Sequence, residues 1–160
     1  MRHGLAAAMA GVLALGLLAG CAEAPKYAAT QITFPSADET ARAFLAAVAS
    51  GEDVASDPRA GPQFAAGATP ARLRAVRALI PKAAPTRVDA VGWRMSGRSD
   101  DGLIAELSYA WSYPHQKLLM RAVLHREHDA ERWVVTGVEA RRTGKTRGLA
   151  SIGDTAAPKT

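Results

Sequence analysis

Side chains that commonly bind metal ions are close together at one point of the sequence: His125, Glu127, His128 and Asp129. On a strand, His125 and Glu127 would project to the same face, whereas His128 belongs to the turn that follows. A metal site needs three or four ligands that converge on one point. We therefore expect no metal ion and no other cofactor in this protein.

Acid–base and nucleophilic catalysis have equally little support. Asp89 could act as a general base if it faced an apolar cavity, but Arg87 lies two residues away and favours an ion pair. The sequence contains no glycine-rich nucleotide-binding loop and no serine in a nucleophile elbow. No catalytic residue is predicted, and a non-enzymatic role is favoured.

Aromatic side chains could instead line a binding pocket. Apolar residues alternate along residues 103–113, which predicts a strand with Tyr109, Trp111 and Tyr113 on one side. Trp93 would lie on the same side of a neighbouring strand. Aromatic rings and phenol groups suit a small-ligand site, although the same four residues would more simply form the hydrophobic core of a small domain.

Basic residues outnumber acidic ones, 20 to 15, and the net charge is +5. A positive surface favours anionic partners such as lipid headgroups or peptidoglycan. The residues that could contact such a surface lie on a predicted helix and near the C terminus: Arg72, Arg74, Arg77, Arg141, Arg142, Lys145 and Arg147. The alternative is that these side chains are simply solvated.

The only cysteine, Cys21, ends a segment with the properties of a secretory signal peptide. Arg2 gives a cationic start, residues 4–20 carry no charge, and small residues precede Cys21. A membrane-spanning helix over residues 4–20 is the alternative. A chain with a single cysteine cannot form an internal disulfide.

The segment Leu18-Ala19-Gly20-Cys21 resembles the lipobox of bacterial lipoproteins. The resemblance implies that residues 1–20 are removed and that Cys21 is acylated, palmitate being a typical acyl group. It also implies attachment to a membrane of the cell envelope. Ala22 after the cysteine points to the cell outer membrane, with the protein facing the periplasm, so nucleic acid is not expected as a partner.

Residues 21–35 are predicted to be an acylated tether, residues 36–141 a folded domain, and residues 142–160 a disordered basic and polar tail. A helix is expected to begin at Ser36, where Ser36 and Glu39 have capping-box spacing, and to end at Gly51. Residues 52–69 are predicted to be mostly loop. Thr69 and the following proline predict the start of a second helix.

Four strands with short turns follow, which favours an antiparallel meander. The expected fold is α+β, with N-terminal helices packed on a curved antiparallel sheet of about four strands. Residues 41–53 (ARAFLAAVASGED) and 131–138 (ERWVVTGV) are similar to the opening helix and last strand of the NTF2-like (cystatin-like, SnoaL-related) superfamily. That resemblance implies a cone-shaped pocket between the helix and the concave sheet.

Two functions are compatible with these observations. The first is a cell-envelope lipoprotein that acts as a non-enzymatic binding or assembly module for an envelope protein partner in the periplasm. The second is a small-molecule-binding NTF2-like pocket protein lined by the strand aromatics, with catalysis left open.

If Cys21 carries the membrane anchor, Cys21→Ala should move the protein from the membrane fraction to the soluble fraction. Burial of acyl methylene groups, at about 0.8 kcal/mol each, is what holds a dually acylated protein on a bilayer. Fractionation of cells that produce either form measures this directly. Equal recovery of both forms in membranes would contradict lipid anchoring.

Overall fold

The computed structural model describes residues 34–98, 102–144 and 148–155. Within them, helices α1 (Pro35–Ser50), α2 (Pro62–Gly67) and α3 (Pro70–Leu79) precede strands β1 (Arg87–Arg98), β2 (Gly102–Tyr113), β3 (Gln116–Arg126), β4 (Val134–Thr143) and β5 (Gly148–Gly153). The strands form one antiparallel sheet in the order β1-β2-β3-β4-β5. The predicted α+β class and antiparallel meander are confirmed, with five strands instead of about four. The predicted signal peptide, Cys21, the tether up to residue 33, Lys145 and Arg147 lie outside the described residues.

The fifth strand occupies part of the predicted disordered tail, so that prediction is wrong for residues 148–153. β5 pairs with β4 from Gly148 opposite Arg142 to Gly153 opposite Gly137. Ile152 is fully buried opposite Val138. Apart from Ile152, the inward-facing residues of β5 are small: Gly148 and Ala150. At Gly148 there is no space for a side chain, because a Cβ would lie 2.7 Å from a methyl group of Leu79. The segment therefore lacks the alternation of large apolar residues by which a strand is recognised in a sequence.

Helix α1 packs its apolar stripe against the sheet as the sequence predicts. Phe44, Leu45 and Val48 are fully buried, and Gly51 ends the helix in the left-handed conformation (φ +89°) that favours glycine. The predicted start is one residue late, and the predicted capping box is absent. Pro35, whose fixed φ suits the first helical position, begins the helix, so Ser36 falls inside the first turn and no side chain caps it.

The predicted loop before α3 contains the short helix α2. It begins at Pro62, directly after Gly61, and buries Phe64 against Phe44 with the rings edge to face and their centroids 4.9 Å apart. The Gly61 amide donates to the Val135 carbonyl at 2.8 Å. The glycine–proline pair that suggests a turn thus marks the point where a helix starts against β4.

Two arginines close the C-terminal ends of helices. Arg142 donates from Nε to the Leu79 carbonyl at 3.0 Å and from Nη2 to the Ala78 carbonyl at 2.8 Å. Arg77 donates to the Val48 carbonyl at 3.1 Å and also to the Glu52 carbonyl. Carbonyls in the last turn of a helix have no partner within the helix, and a positive charge is favourable there. Thr69 caps the other end of α3 as predicted, by accepting from the Arg72 amide at 3.4 Å.

The sheet has an inner face, which carries the helices, and an outer face. The inner residues of β2 and β3 are buried, which agrees with the predicted alternation: Ala105, Leu107, Tyr109, Trp111, Tyr113, Leu118, Met120, Ala122 and Leu124. On the outer face, Arg121 donates to Glu106 at 3.4 Å, to Glu139 at 3.1 Å and to the Thr155 carbonyl. Thr155, two residues after the end of β5, is therefore attached to the outer face.

Replacement of Arg142 by alanine should lower the free energy of unfolding by about 1–2 kcal/mol, because two carbonyls at the end of α3 lose a charged donor. Arg141→Ala is the matched control, since Arg141 is exposed on the outer face and should change stability by about 0.5 kcal/mol or less. Urea unfolding followed by tryptophan fluorescence measures both. Equal losses in the two variants would contradict the capping role.

Candidate functional site

An apolar cavity of about 320 Å³ lies between α1 and the first two strands. Its walls come from four residues of α1, from the loop before β1 and from the inner face of β1 and β2: Arg42, Leu45, Ala46, Ala49, Pro85, Val88, Tyr109 and Trp111. The two alanines leave space where a larger helix residue would fill the gap to the sheet. α2 and α3 contact β4 and β5, so among the described helices only α1 covers this part of the sheet.

A cluster of three polar side chains, which we name the Asp38 cluster, lies beside this cavity: Asp38, Arg42 and Tyr109. The Tyr109 hydroxyl donates to Oδ1 of Asp38 at 2.7 Å, and Nε of Arg42 lies 2.9 Å and 3.0 Å from the two carboxylate oxygens. The guanidinium carbon of Arg42 lies 4.8 Å from the centroid of the Tyr109 ring, within the range of a cation–π contact. The cluster joins the first turns of α1 to the middle of β2.

The surroundings of Tyr109 keep its phenol protonated. The residue is fully buried, and burial raises the pKa of the Tyr109 phenol well above its ordinary value. The hydrogen bond to Asp38 and the negative charge of that carboxylate raise the pKa further. At neutral pH Tyr109 is therefore a hydrogen-bond donor and not a base, so the cluster is suited to holding groups in place.

The four aromatic residues predicted to share one pocket are separated in the structure. Tyr109 and Trp111 line the cavity described above. Tyr113 lines a different cavity, of about 380 Å³, at the turn between β2 and β3. Trp93 is 39% exposed and packs edge to face on Phe34, with the ring centroids 5.5 Å apart. All four lie on the inner face as predicted, but they are spread along the sheet farther than one pocket extends.

Two buried aromatic polar atoms lack a hydrogen-bond partner among the described residues. They are Nε1 of Trp111 and the hydroxyl of Tyr113. The hydroxyl of Tyr109, which lies two positions before Trp111 and four before Tyr113 on β2, is paired with Asp38. Tyr109 is therefore the member of this row that attaches the strand to the helix through a polar contact.

The other candidates for chemistry do not form a site. Nε of Arg87 lies 2.8 Å from both carboxylate oxygens of Asp89, and Asp89 pairs with Ala110 on the outer face, away from the cavity. The expected ion pair is confirmed, and a general base facing the cavity is not. Nowhere in residues 34–98, 102–144 and 148–155 do three or more His, Cys, Asp or Glu side chains form a group that could hold a metal ion.

The basic residues predicted to bind an anionic surface have different roles. Arg77 and Arg142 donate to main-chain carbonyls and so have a role within the fold, and their contact with an anionic surface stays a prediction. Arg72, Arg74 and Arg141 are exposed. α3 carries the first two and packs against β4 and β5, whereas Arg141 lies on the outer face of β4. These three side chains do not form a single patch.

Sequence reasoning missed Asp38 and Arg42 as site residues. The available signal was an acidic and a basic residue four positions apart on one helix, because such residues are neighbours on the helix surface. The partner on the sheet, Tyr109, is 71 positions away from Asp38. No local pattern identifies a contact at that separation.

Comparisons with known proteins give no relatives for this chain. No family model matches it, and no curated protein and no solved structure is similar to it at a significant level. In the part of the chain that the structure describes, no helix has the length and apolar character needed to cross a membrane.

Tyr109→Phe should lower the free energy of unfolding by about 1.5–3 kcal/mol, because a hydrogen bond to a carboxylate is lost between α1 and β2. Tyr113→Phe is the matched control on the same strand, since its hydroxyl has no partner among the described residues and its removal should cost less. Chemical denaturation of the two variants measures the difference. A larger loss in Tyr113→Phe would contradict the structural importance of the Asp38 cluster.

Proposed function

We propose that this protein binds a small, mainly apolar molecule in the cavity between α1 and strands β1 and β2. The observation that carries the proposal is the cavity itself, whose volume of about 320 Å³ is near the lower end of the ~300–1,000 Å³ typical of small-ligand sites. Its lining residues are apolar except for Arg42, the phenol of Tyr109 and the indole N–H of Trp111. Such a composition favours apolar ligands that are oriented by a few polar contacts.

The state of the polar groups supports binding in preference to catalysis. Asp38 already accepts hydrogen bonds from Tyr109 and Arg42, and the raised pKa of Tyr109 keeps that phenol protonated. A general base needs a free lone pair and a pKa near the working pH. The Asp38 cluster offers a carboxylate that is already paired with a guanidinium and a phenol, and a phenol that does not ionise at neutral pH.

The class of protein and its location belong to the same proposal. The arrangement of α1 over the inner face of an antiparallel sheet, with a cavity between them, supports the NTF2-like resemblance of residues 41–53 and 131–138. The lipobox-like segment ending at Cys21 supports a palmitoylated lipoprotein on the periplasmic side of the outer membrane. Anchored there, the domain would meet apolar molecules that pass through the envelope.

A second candidate is a binding or assembly module that holds an envelope protein partner, with peptidoglycan or anionic lipid as alternative partners. The observation that favours it is the outer face of the sheet, on which the described helices do not pack. Ile104 and Leu119 are only partly buried there, beside the ion pairs of Arg121. This function would not depend on the cavity, so a variant that fills the cavity separates the two candidates.

Ligand binding should raise the melting temperature of the protein, and Ala49→Phe should abolish the effect. At a ligand concentration of 100 times Kd, the stabilisation is about 2.7 kcal/mol, and octanol and small aromatic alcohols are suitable probes. Ala49 lines the cavity, whereas Ala43 is exposed on the same helix, so Ala43→Phe is the matched control. Thermal unfolding with and without each probe is the measurement.

Two outcomes would contradict binding in the cavity. The first is an unchanged melting temperature with every probe, which would favour the assembly role. The second is an equal ligand effect in Ala49→Phe and in the wild type, which would place the ligand elsewhere on the protein.

A further inference from the structure

We propose that the molecule bound in this cavity is an amphiphilic carboxylate, whose acidic group pairs with the free edge of the Arg42 guanidinium and whose apolar part lies against Tyr109 and Trp111. This inference rests on the proposed function, because it specifies the chemical class of ligand for the same cavity. It depends on how Arg42 is held, where it lies relative to the apolar walls, and which of its donors are free.

Two independent contacts hold the guanidinium of Arg42. Its Nε atom is hydrogen bonded to both carboxylate oxygens of Asp38, which is one helical turn away, and its central carbon lies 4.8 Å from the centroid of the Tyr109 ring. No hydrogen bond from Nη1 or Nη2 is found among the described residues. Within residues 34–98, 102–144 and 148–155 the group is therefore oriented in advance, with the edge formed by its two Nη atoms available. A planar carboxylate matches such an edge with two parallel hydrogen bonds.

Exposure changes along the cavity in a way that suits an amphiphile. The side chain of Arg42 is 40% exposed, whereas Tyr109 and Leu45 are fully buried and Trp111 is 6% exposed. The charged group therefore lies in the more exposed part of the wall, as does Ala46, and Leu45, Tyr109 and Trp111 form the buried part. A ligand with an acid at one end and a hydrocarbon at the other satisfies both environments at once.

The positive charge of Arg42 disfavours an amphiphile that carries an ammonium group. The carboxylate of Asp38 pairs with Arg42, and its oxygens already accept from Arg42 and Tyr109. An ammonium group at the same place would face the guanidinium without a free carboxylate to compensate it. A neutral alcohol would avoid this repulsion but would gain only one weaker hydrogen bond.

Three probes with the same hydrocarbon chain test this: octanoate, octanol and octylamine. Binding is measured by calorimetry and by quenching of tryptophan fluorescence on the full chain carrying Cys21→Ala. In that protein, octanoate should bind about tenfold more tightly than octanol, because one charge-assisted bidentate contact is expected to contribute a difference of about that size. Octylamine should bind most weakly. The preference should decrease at high salt, because Arg42 is partly exposed.

Variants of Arg42 decide whether this side chain is responsible. Arg42→Gln should remove the preference for octanoate while octanol still binds, and retained octanol binding shows that the cavity is intact. Arg42→Lys keeps the charge without the planar edge and should show an intermediate preference. Arg74→Gln, which removes an exposed arginine outside the cavity, should leave the preference unchanged. Binding that persists in Ala49→Phe is not binding in the cavity and is subtracted.

The outcomes separate this inference from the proposed function. Equal affinities for octanoate and octanol in the protein with Arg42 would overturn the inference and leave the apolar cavity as the binding site. A preference for octanoate that survives in Arg42→Gln would also overturn it. If none of the three probes binds, the proposed function itself fails. If Arg42→Gln does not fold, the ranking of the probes with Arg42 and with Arg42→Lys still decides.

Discussion

The contact between α1 and the inner face of the sheet is the constraint on which the candidate site depends. Its apolar part is the burial of Phe44, Leu45 and Val48, which is not directional. Its polar part is directional, because Asp38 accepts from Tyr109 on β2 and from Arg42 on its own helix. Apolar burial brings the helix to the sheet, and the Asp38 cluster specifies its position along the strand. The same contacts orient the guanidinium of Arg42.

The cavity exists because the helices cover the sheet unevenly. α2 and α3 contact β4 and β5, where Phe64, Val76 and Ile152 are fully buried. At the other side only α1 lies over β1 and β2, and it presents the small side chains of Ala46 and Ala49 there. Helix α1 is therefore in close contact with the sheet on one side and separated from it by the cavity on the other. The concave site therefore results from residue size at these positions of α1.

Local features of the fold could be predicted from the sequence, whereas features that depend on distant pairing could not. Gly51 and Thr69 act at the ends of helices as their residue types suggest, and the alternation in residues 103–113 gives the correct inner face for β2. By contrast, β5 forms by pairing with β4, and the main-chain acceptors of Arg77 and Arg142 lie on other elements. The predicted four-aromatic pocket fails for the same reason, because helix coverage decides which ring lines a cavity. Spacing in the sequence carries no information about that coverage.

The end of α3 also constrains the order in which the protein folds. The helix has ten residues, fewer than the roughly 12–15 that an isolated helix needs to be even marginally stable in water. Its last carbonyls are bonded by Arg142, which is 63 positions away from Leu79 and belongs to the fourth strand. α3 therefore gains its full stability only after β4 has joined the sheet. We expect this helix to be acquired late on the folding pathway, and to be among the first segments to open when the native protein fluctuates.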